Sequence, residues 1–188
     1  IVAPSLPVWR AGGHRHPARF HAPRGLSRAQ ETLILTPFDR EDWKLTQGEC
    51  QTVFDTDFGR IGIAICYDIE FPNQIRSLAE AGARLILCPS CTDTIAGYWR
   101  VRVGAMARAL ENQCVIVQSP TIGSVKWTRA LDVNRGAAGV FAPPDMGFAP
   151  EGILALGALD QPGWIVCQPD LSRVDDVRAA GEVRTFRD

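Results

Sequence analysis

A single cysteine stands where an apolar run gives way to an acidic turn, in the segment AICYDIEFP at residues 64–72. Cys66 ends a predicted buried strand, and Asp68 and Glu70 follow it closely. In open α/β sheets, functional side chains gather at the carboxyl ends of strands, where loops converge over a rigid support. A helix predicted to begin near Pro72 would favour thiolate at its amino end. Two interpretations follow: Cys66 is a nucleophile at the carboxyl end of a strand, or it is a small buried core residue.

The elements that must position this cysteine alternate along the chain. Apolar runs predict strands at residues 1–6, 32–38, 83–90, 114–120 and 138–143, and two more strands on either side of a turn at Asp57-Phe58-Gly59. One helix is predicted from Pro72 to Gly82, and a second, ending near Asn112, has an inner stripe of Trp99, Val103, Met106, Ala107 and Leu110. Residues 152–159 and 164–171 predict a closing hairpin, and residues 171–180 a terminal helix. This alternation predicts one α/β domain over residues 1–188, with mixed sheets.

Composition narrows the class of protein. The 188 residues carry 20 basic and 21 acidic side chains, a net charge of −1, which gives no electrostatic basis for binding nucleic acid or a membrane. No apolar stretch approaches the roughly 20 residues of a membrane span. Four of the six cysteines lie in apolar, strand-like runs, as reduced cysteines do, so a cytoplasmic location is expected. Residue 1 is Ile, so the natural start is expected to precede it.

Three motifs in order, GRIGIAICYDIEFP, LAEAGARLILCPS and ARALENQCVIV, resemble the nitrilase superfamily of carbon–nitrogen hydrolases, in its amidase-like branch. The resemblance runs from IVAPSLPVW to GEVRTFRD, and so covers nearly the whole chain. It implies an α-β-β-α sandwich of two mixed sheets, incomplete at the amino terminus. It also implies that residues 1–188 are the carboxy-terminal portion of a single hydrolase domain, which forms a homodimer or higher homo-oligomer through its helical layer.

The resemblance implies hydrolysis of a small carboxamide, possibly a nitrile. A thiolate at Cys66 would attack the substrate carbon after a glutamate base takes its proton. The backbone N–H of Tyr67 and a lysine ammonium would stabilise the oxyanion. By the same resemblance the base precedes residue 1, and the lysine position is occupied by Thr32.

Further site residues are implied around this centre. Glu41 is assigned as the family's supporting glutamate, with Asp39 as its substitute. Thr92, Asp93 and Trp99 are candidates for the pocket wall, although Thr92 or Asp93 could equally cap a helix. No cofactor and no metal are expected, and the expected partner is a small-molecule amide.

Two other hypotheses stay open. Because threonine carries no charge, the chain could be a catalytically inactive member that serves as a binding or oligomerisation module. The C-x-x-C pair of Cys88 and Cys91 could instead indicate a thioredoxin-like oxidoreductase.

Overall fold

The structure is a computed structural model that describes residues 2–4, 8–10, 12–21, 27–127 and 132–188. The strands are β1 (Val2–Pro4), β2 (Val8–Arg10), β3 (Gly13–Arg15), β4 (Pro17–His21), β5 (Ser27–Glu31), β6 (Val53–Thr56), β7 (Gly59–Ile63), β8 (Leu85–Ser90), β9 (Val115–Pro120), β10 (Gly123–Ser124), β11 (Val133–Asn134), β12 (Gly139–Phe141) and β13 (Ile153–Leu156). The helices are α1 (Pro37–Glu41), α2 (Pro72–Glu80), α3 (Ile95–Asn112) and α4 (Ser172–Ala180), and a 3₁₀ turn occupies Cys66–Glu70.

A six-stranded mixed sheet forms the centre of the molecule. Its order is β13-β12-β9-β8-β7-β6. The three consecutive strands β7, β8 and β9 are parallel, and the outer pairs are antiparallel. Parallel neighbours need a crossover connection, and α2 and α3 supply the two crossovers. The predicted α/β fold with a mixed sheet is therefore confirmed.

The central sheet is covered by different layers on its two faces. On one face lies a three-stranded antiparallel sheet of order β1-β4-β5, whose Ala18 and Phe20 share an apolar cluster with Phe54, Ile61 and Ile63. On the other face, α2 and α3 bury their apolar stripes against β8 and β9, as the cluster of Ile75, Leu78, Ile86, Val101, Ala105 and Ile116 shows. Burial of such aliphatic side chains stabilises the fold by about 1.5–3 kcal/mol each. The described layers run helix, sheet, sheet, and the second sheet is antiparallel rather than mixed as predicted.

The inner stripe predicted for α3 is wrong at three of its five positions, whereas Met106 packs against the core as predicted. Trp99, Val103 and Leu110 are exposed, and the buried face consists largely of small residues, including Gly97, Val101, Ala105 and Ala109. Small side chains let the helix backbone approach the sheet and the 3₁₀ turn closely. A Cβ on Gly104 would already lie 3.1 Å from the Ile69 carbonyl oxygen. Trp99, Val103 and Leu110 are consequently left on the outer face, whereas Tyr98 is buried at 2% exposure. No helix in the described ranges is long and apolar enough to cross a membrane.

The strand predicted at residues 32–38 is also wrong. β5 ends at Glu31, an irregular segment follows, and α1 begins at Pro37. The Thr36 hydroxyl accepts a hydrogen bond from the Asp39 N–H, and the Asp39 carboxylate accepts one from the Thr36 N–H, at 3.1 and 2.9 Å. This reciprocal cap, followed by proline at the first helical position, favours a helix over a strand.

The ends of the chain differ from the prediction as well. Residues 2–4 of the strand predicted at 1–6 form β1, and residues 1, 5 and 6 lie outside the described ranges. The closing hairpin is wrong, because β13 pairs with β12 and residues 163–170 form no strand. Ile165 and Cys167 pack against an apolar cluster, whereas Trp164 and Val166 are almost fully exposed. The terminal helix is confirmed as α4.

A buried arginine fastens α4 to the rest of the fold. The Arg178 guanidinium donates hydrogen bonds of 3.0 Å to the Asn112 carbonyl, 3.1 Å to the Gln113 carbonyl and 3.2 Å to the Ala83 carbonyl. It also lies 4.1 Å from the ring centroid of Phe186, beside which Arg76 lies at 5.2 Å. Because Asn112 and Gln113 end α3, Arg178 satisfies carbonyls that a helix leaves without intrahelical partners.

We expect Arg178→Met to lower the free energy of unfolding by about 2–4 kcal/mol, because buried carbonyl oxygens would lose their donors. Arg173→Met on the same helix is the matched control. Its side chain is 50% exposed and its ion pair with Asp170 spans 3.6 Å. The control should cost less than about 1 kcal/mol. Urea unfolding followed by circular dichroism measures both, and equal losses would contradict the role assigned to Arg178.

Candidate active site

A cavity of about 630 Å³ lies at the carboxyl ends of β7 and β8. Its lining combines thiol, carboxylate, hydroxyl and aromatic groups. They come from the residue between β3 and β4, the loop after β5, α1 and the residues after it, the 3₁₀ turn, the end of β8 and the loop after it, and residues next to β9 and β11. The residues that supply these groups are Cys66, Cys91, Asp39, Glu70, Asp93, Asp132, Thr32, Thr36, Tyr67, Ser90, Thr92, Thr121, His16, Phe38 and Trp43. This is the edge of a parallel sheet where ligand sites form in open α/β folds.

Cys66 occupies a sharp turn between the strand and the helix. The chain leaves β7 through Ala64 and Ile65, and Cys66 then adopts a φ of 48°, in the left-handed region. For a residue other than glycine this conformation costs on the order of 1–3 kcal/mol, and such strain clusters at functional sites. The thiol is partly buried, lines the cavity, and donates to the Cys91 carbonyl at 3.5 Å. Cys66 is therefore not sealed within the core.

A buried carboxylate holds this turn in place. The Asp68 carboxylate accepts hydrogen bonds from the N–H groups of Ile34, Ile65 and Leu33 at 2.8, 3.1 and 3.2 Å. Burial raises the pKa of Asp68 to about 6, although these donors oppose the shift. The same carboxylate thus connects the segment after β5 to the cysteine turn. It also removes two backbone donors from strand pairing, which adds a reason why residues 32–38 do not form a strand.

The electrostatic environment disfavours a free thiolate at Cys66. Burial raises the pKa of the thiol to about 12, and the negative charges of Glu70 and Asp39 act in the same direction. At neutral pH the sulfur therefore carries its proton. Nucleophilic chemistry at Cys66 requires a base that removes this proton as the new bond forms.

Thr32 lines the cavity at the position implied for the family lysine. It is 5% exposed, and its hydroxyl donates to the His16 carbonyl at 3.1 Å. The side chain can accept a further hydrogen bond but contributes no charge. The cavity consequently has no ammonium group at this point.

The structure places Asp39, not Glu41, at the cavity. Asp39 lines it while its carboxylate accepts from the Thr36 hydroxyl at 2.7 Å. Glu41 is exposed and is not among the lining residues. The two positions are two residues apart on α1, so their side chains project about 200° apart around the helix axis. The placement of Glu41 at the site is therefore corrected: Asp39, its predicted substitute, is the α1 carboxylate that lines the cavity.

Of the three predicted pocket residues, Thr92 and Asp93 line the cavity and Trp99 does not. Trp99 lies on the outer face of α3, 47% exposed and 4.9 Å beneath the Arg102 guanidinium. Gly97, Arg100 and Val101 present the inner face instead. The competing explanation for Thr92 and Asp93 was helix capping. The residue that caps α3 is instead Thr94, whose hydroxyl accepts from the Gly97 N–H at 3.0 Å.

Three charged residues at the cavity, Glu70, Arg100 and Asp132, were not predicted from the sequence. Glu70 forms an ion pair with Arg100, with a distance of 3.6 Å between nitrogen and oxygen. Burial raises the pKa of Glu70, and Arg100 opposes the shift. The position of Glu70, four residues after Cys66, was an available signal. Arg100 gave none, because an exposed arginine within a helix has no distinguishing pattern. Trp43, in the segment after α1, also lines the cavity.

The C-x-x-C pair does not form a dithiol site. Cys88 is fully buried in the core between the sheet and α3, whereas Cys91 lines the cavity and its thiol donates to the Asn134 amide oxygen at 3.0 Å. A redox partner would reach only one of the two sulfurs, so the thioredoxin-like hypothesis loses its support. In the described part of the chain, no three His, Cys, Asp or Glu side chains are grouped so as to hold a metal ion.

Comparison with known proteins relates this chain to a family. A family model for carbon–nitrogen hydrolases matches residues 11–145. The chain is 40% identical over 164 residues to the probable hydrolase YhcX of Bacillus subtilis, a match that covers 87% of the chain and 32% of that protein. It is 38% identical over 90 residues to the deaminated glutathione amidase of Yersinia enterocolitica, covering 48% of the chain and 32% of that enzyme. The matches thus span about a third of each relative's length.

Solved structures share the fold. The carbon–nitrogen hydrolase from Helicobacter pylori G27 aligns with a TM-score of 0.76 at 17% identity, over 95% of this chain and 64% of its own. An amidase from Nesterenkonia sp. AN1 aligns with a TM-score of 0.71 at 23% identity, over 95% of this chain and 66% of its own. That amidase structure shows acrylamide added at its active-site cysteine. At these identities the likeness establishes the fold.

The pKa of Cys66 has a direct chemical consequence. With a pKa of about 12, the thiolate fraction and the alkylation rate by iodoacetamide should rise about tenfold per pH unit between about pH 7 and about pH 10. An unstructured cysteine peptide, whose pKa is about 8.5, should level off above about pH 9. Mass spectrometry of the tryptic peptide 61–76, which contains Cys66 as its only cysteine, measures the rate. A plateau like that of the free peptide would contradict the burial of the thiol.

Proposed function

The chain belongs to the carbon–nitrogen hydrolase family, and from that premise we propose that it hydrolyses a small carboxamide through a thioester at Cys66. The observation that carries the proposal is the position of Cys66, on a left-handed turn at a strand end with its thiol at a cavity. Relatives named as amidases favour an amide over a nitrile.

The proposed reaction proceeds in two halves. As a base takes the thiol proton, the Cys66 sulfur attacks the carboxamide carbon and forms a tetrahedral oxyanion. Collapse of this intermediate breaks the carbon–nitrogen bond, and the leaving nitrogen takes a proton and departs as ammonia. Water then attacks the thioester, which releases the carboxylic acid and restores the thiol. The family resemblance implies that the base is a glutamate outside these residues.

Stabilisation of the oxyanion rests on a single proposed donor in this chain. The backbone N–H of Tyr67, which directly follows the nucleophile, is the proposed donor within the cavity. A fixed donor of this kind contributes about 10²–10³ in rate. Thr32 cannot supply the second, charged donor that the family resemblance implies. The proposed hydrolysis is therefore slow in this chain.

A second candidate function rests on the same residue. Without an ammonium group at Thr32, and with a protonated thiol at Cys66, the cavity could bind an amide without cleaving it. This candidate is a catalytically inactive member that serves as a binding or oligomerisation module. It differs from the first in a single measurable quantity, the release of ammonia.

The location and assembly of the protein are also proposals. All six cysteines are free in the structure, which favours a reducing compartment, and we assign the chain to the cytoplasm. The outer face of α3 exposes Trp99, Val103 and Leu110. Such an apolar stripe on a helix favours contact with another helix, so we assign this face to a homodimer interface.

In a protein that also contains the preceding segment with the glutamate base, Thr32→Lys should raise ammonia release from small primary carboxamides by about 10²–10³ relative to the same protein with Thr32, because it returns a charged donor to the developing oxyanion. Thr32→Met is the matched control, since methionine has a similar length without charge and should give no increase. Cys66→Ser sets the background. If Thr32→Lys folds, as circular dichroism would show, yet releases no more ammonia than Cys66→Ser, the hydrolase proposal fails in favour of the binding module.

The interface is tested separately. We expect Val103→Glu to convert a dimer into a monomer in analytical ultracentrifugation, because it places a charge within the apolar stripe on α3. Val166→Glu, on another exposed segment, should leave the dimer intact. A chain that is monomeric without substitution would contradict the assignment.

A further inference from the structure

The cavity has an excess of negative charge. Four of its lining residues are carboxylates, and Arg100 is the only lysine or arginine among the lining residues that the structure describes. The carboxylates are those of Asp39, Glu70, Asp93 and Asp132. Whole-chain composition does not predict this imbalance, because the protein as a whole carries a net charge of only −1.

Arg100 does not offset this excess. Its guanidinium is paired with Glu70 at 3.6 Å, so the two charges compensate each other. The remaining three carboxylates have no arginine or lysine partner in the described ranges. Asp39 accepts from the neutral hydroxyl of Thr36, and Asp132 accepts from the neighbouring Val133 N–H at 2.9 Å. Neutral donors satisfy oxygen atoms without cancelling charge.

Hydroxyl groups at the cavity are also available as acceptors. The hydrogen of the Thr32 hydroxyl is committed to the His16 carbonyl, so lone pairs of the oxygen remain. Ser90 lines the cavity at 5% exposure, and its hydroxyl has no hydrogen-bond partner among the residues that the structure describes. A buried polar group without a partner is unusual and calls for one. An ammonium group donates three hydrogen bonds and accepts none, so it complements carboxylates and hydroxyl acceptors together.

We propose that the ligand of this cavity carries a primary ammonium group in addition to its carboxamide, so that its class is the aminoalkanamides. This inference rests on the proposed function for the carboxamide end, and on the charge of the lining for the other end. A carboxamide ending in a carboxylate would instead face three carboxylates that have no cationic partner among the described residues, and a guanidinium that is already paired. The cavity thus selects against an anionic ligand as well as for a cationic one.

The test compares three carboxamides with the same alkyl chain and different ends: delta-aminovaleramide with an ammonium, hexanamide with a methyl, and adipamate with a carboxylate. Isothermal titration with the Cys66→Ser chain measures binding without hydrolysis. We expect delta-aminovaleramide to bind about tenfold more tightly than hexanamide, adipamate to bind most weakly, and the advantage of the cation to shrink as salt is added.

Substitutions locate the effect in the cavity. Asp93→Asn and Asp132→Asn should each weaken the binding of delta-aminovaleramide by about threefold and leave hexanamide unchanged. Asp57→Asn is the matched control, because Asp57 is exposed at the turn that begins β7, at the far end of the strand from Cys66. It should change neither ligand.

Three outcomes would overturn the inference: equal affinity for the three ligands, tighter binding of adipamate, or no binding of any ligand at millimolar concentration. An effect of Asp57→Asn equal to that of Asp93→Asn would do the same. The proposed function is judged independently by ammonia release from Thr32→Lys. If hydrolysis is absent, the order of the three affinities still tests the inference. If the affinities do not depend on the charge of the ligand, the proposed hydrolysis is unaffected.

Discussion

The geometry of the site depends on the backbone hydrogen bonds that the Asp68 carboxylate accepts. The carboxylate accepts these bonds from Leu33 and Ile34 on one side and from Ile65 on the other. These bonds fix the segment that carries Thr32 relative to the turn that carries Cys66. The left-handed conformation of Cys66 persists because its surroundings determine it. Burial of a charge has a cost, which is visible in the raised pKa of Asp68, and backbone donors offset part of that cost.

The helical layer supports the same turn from the opposite side. Small residues on the inner face of α3 allow a close approach to Ile69 and Glu70. Arg108 forms an ion pair of 2.7 Å with Glu111 and donates to the Glu70 carbonyl at 3.4 Å, which connects the end of α3 to the 3₁₀ turn. The turn is therefore fixed by backbone contacts from two layers.

The negative charges of the cavity disfavour the thiolate form of its nucleophile, Cys66. Burial raises the pKa of the Cys66 thiol, the carboxylates of Glu70 and Asp39 act in the same direction, and the position that the family resemblance assigns to a cation holds the neutral Thr32. Both features slow an attack that generates negative charge. They also produce a cavity whose potential attracts a cation. A ligand with its own ammonium would restore the missing positive charge to this cavity, although by a different route from a lysine of the chain.

The sequence alone determined the alternation of strands and helices around Cys66, since the buried parallel strands are continuous apolar runs, and Pro72 at the start of α2 and Gly82 after its end act locally. It also indicated the family through three ordered motifs. Tertiary structure alone decided which side chains meet at the cavity: Asp39 rather than Glu41, Arg100 rather than Trp99, and the pairing of Arg100 with Glu70. The reason is physical. Apolar periodicity indicates which residues are buried. Which side of a helix faces the core depends on how closely its small residues let it pack, and the charge of a cavity depends on loops from distant parts of the chain.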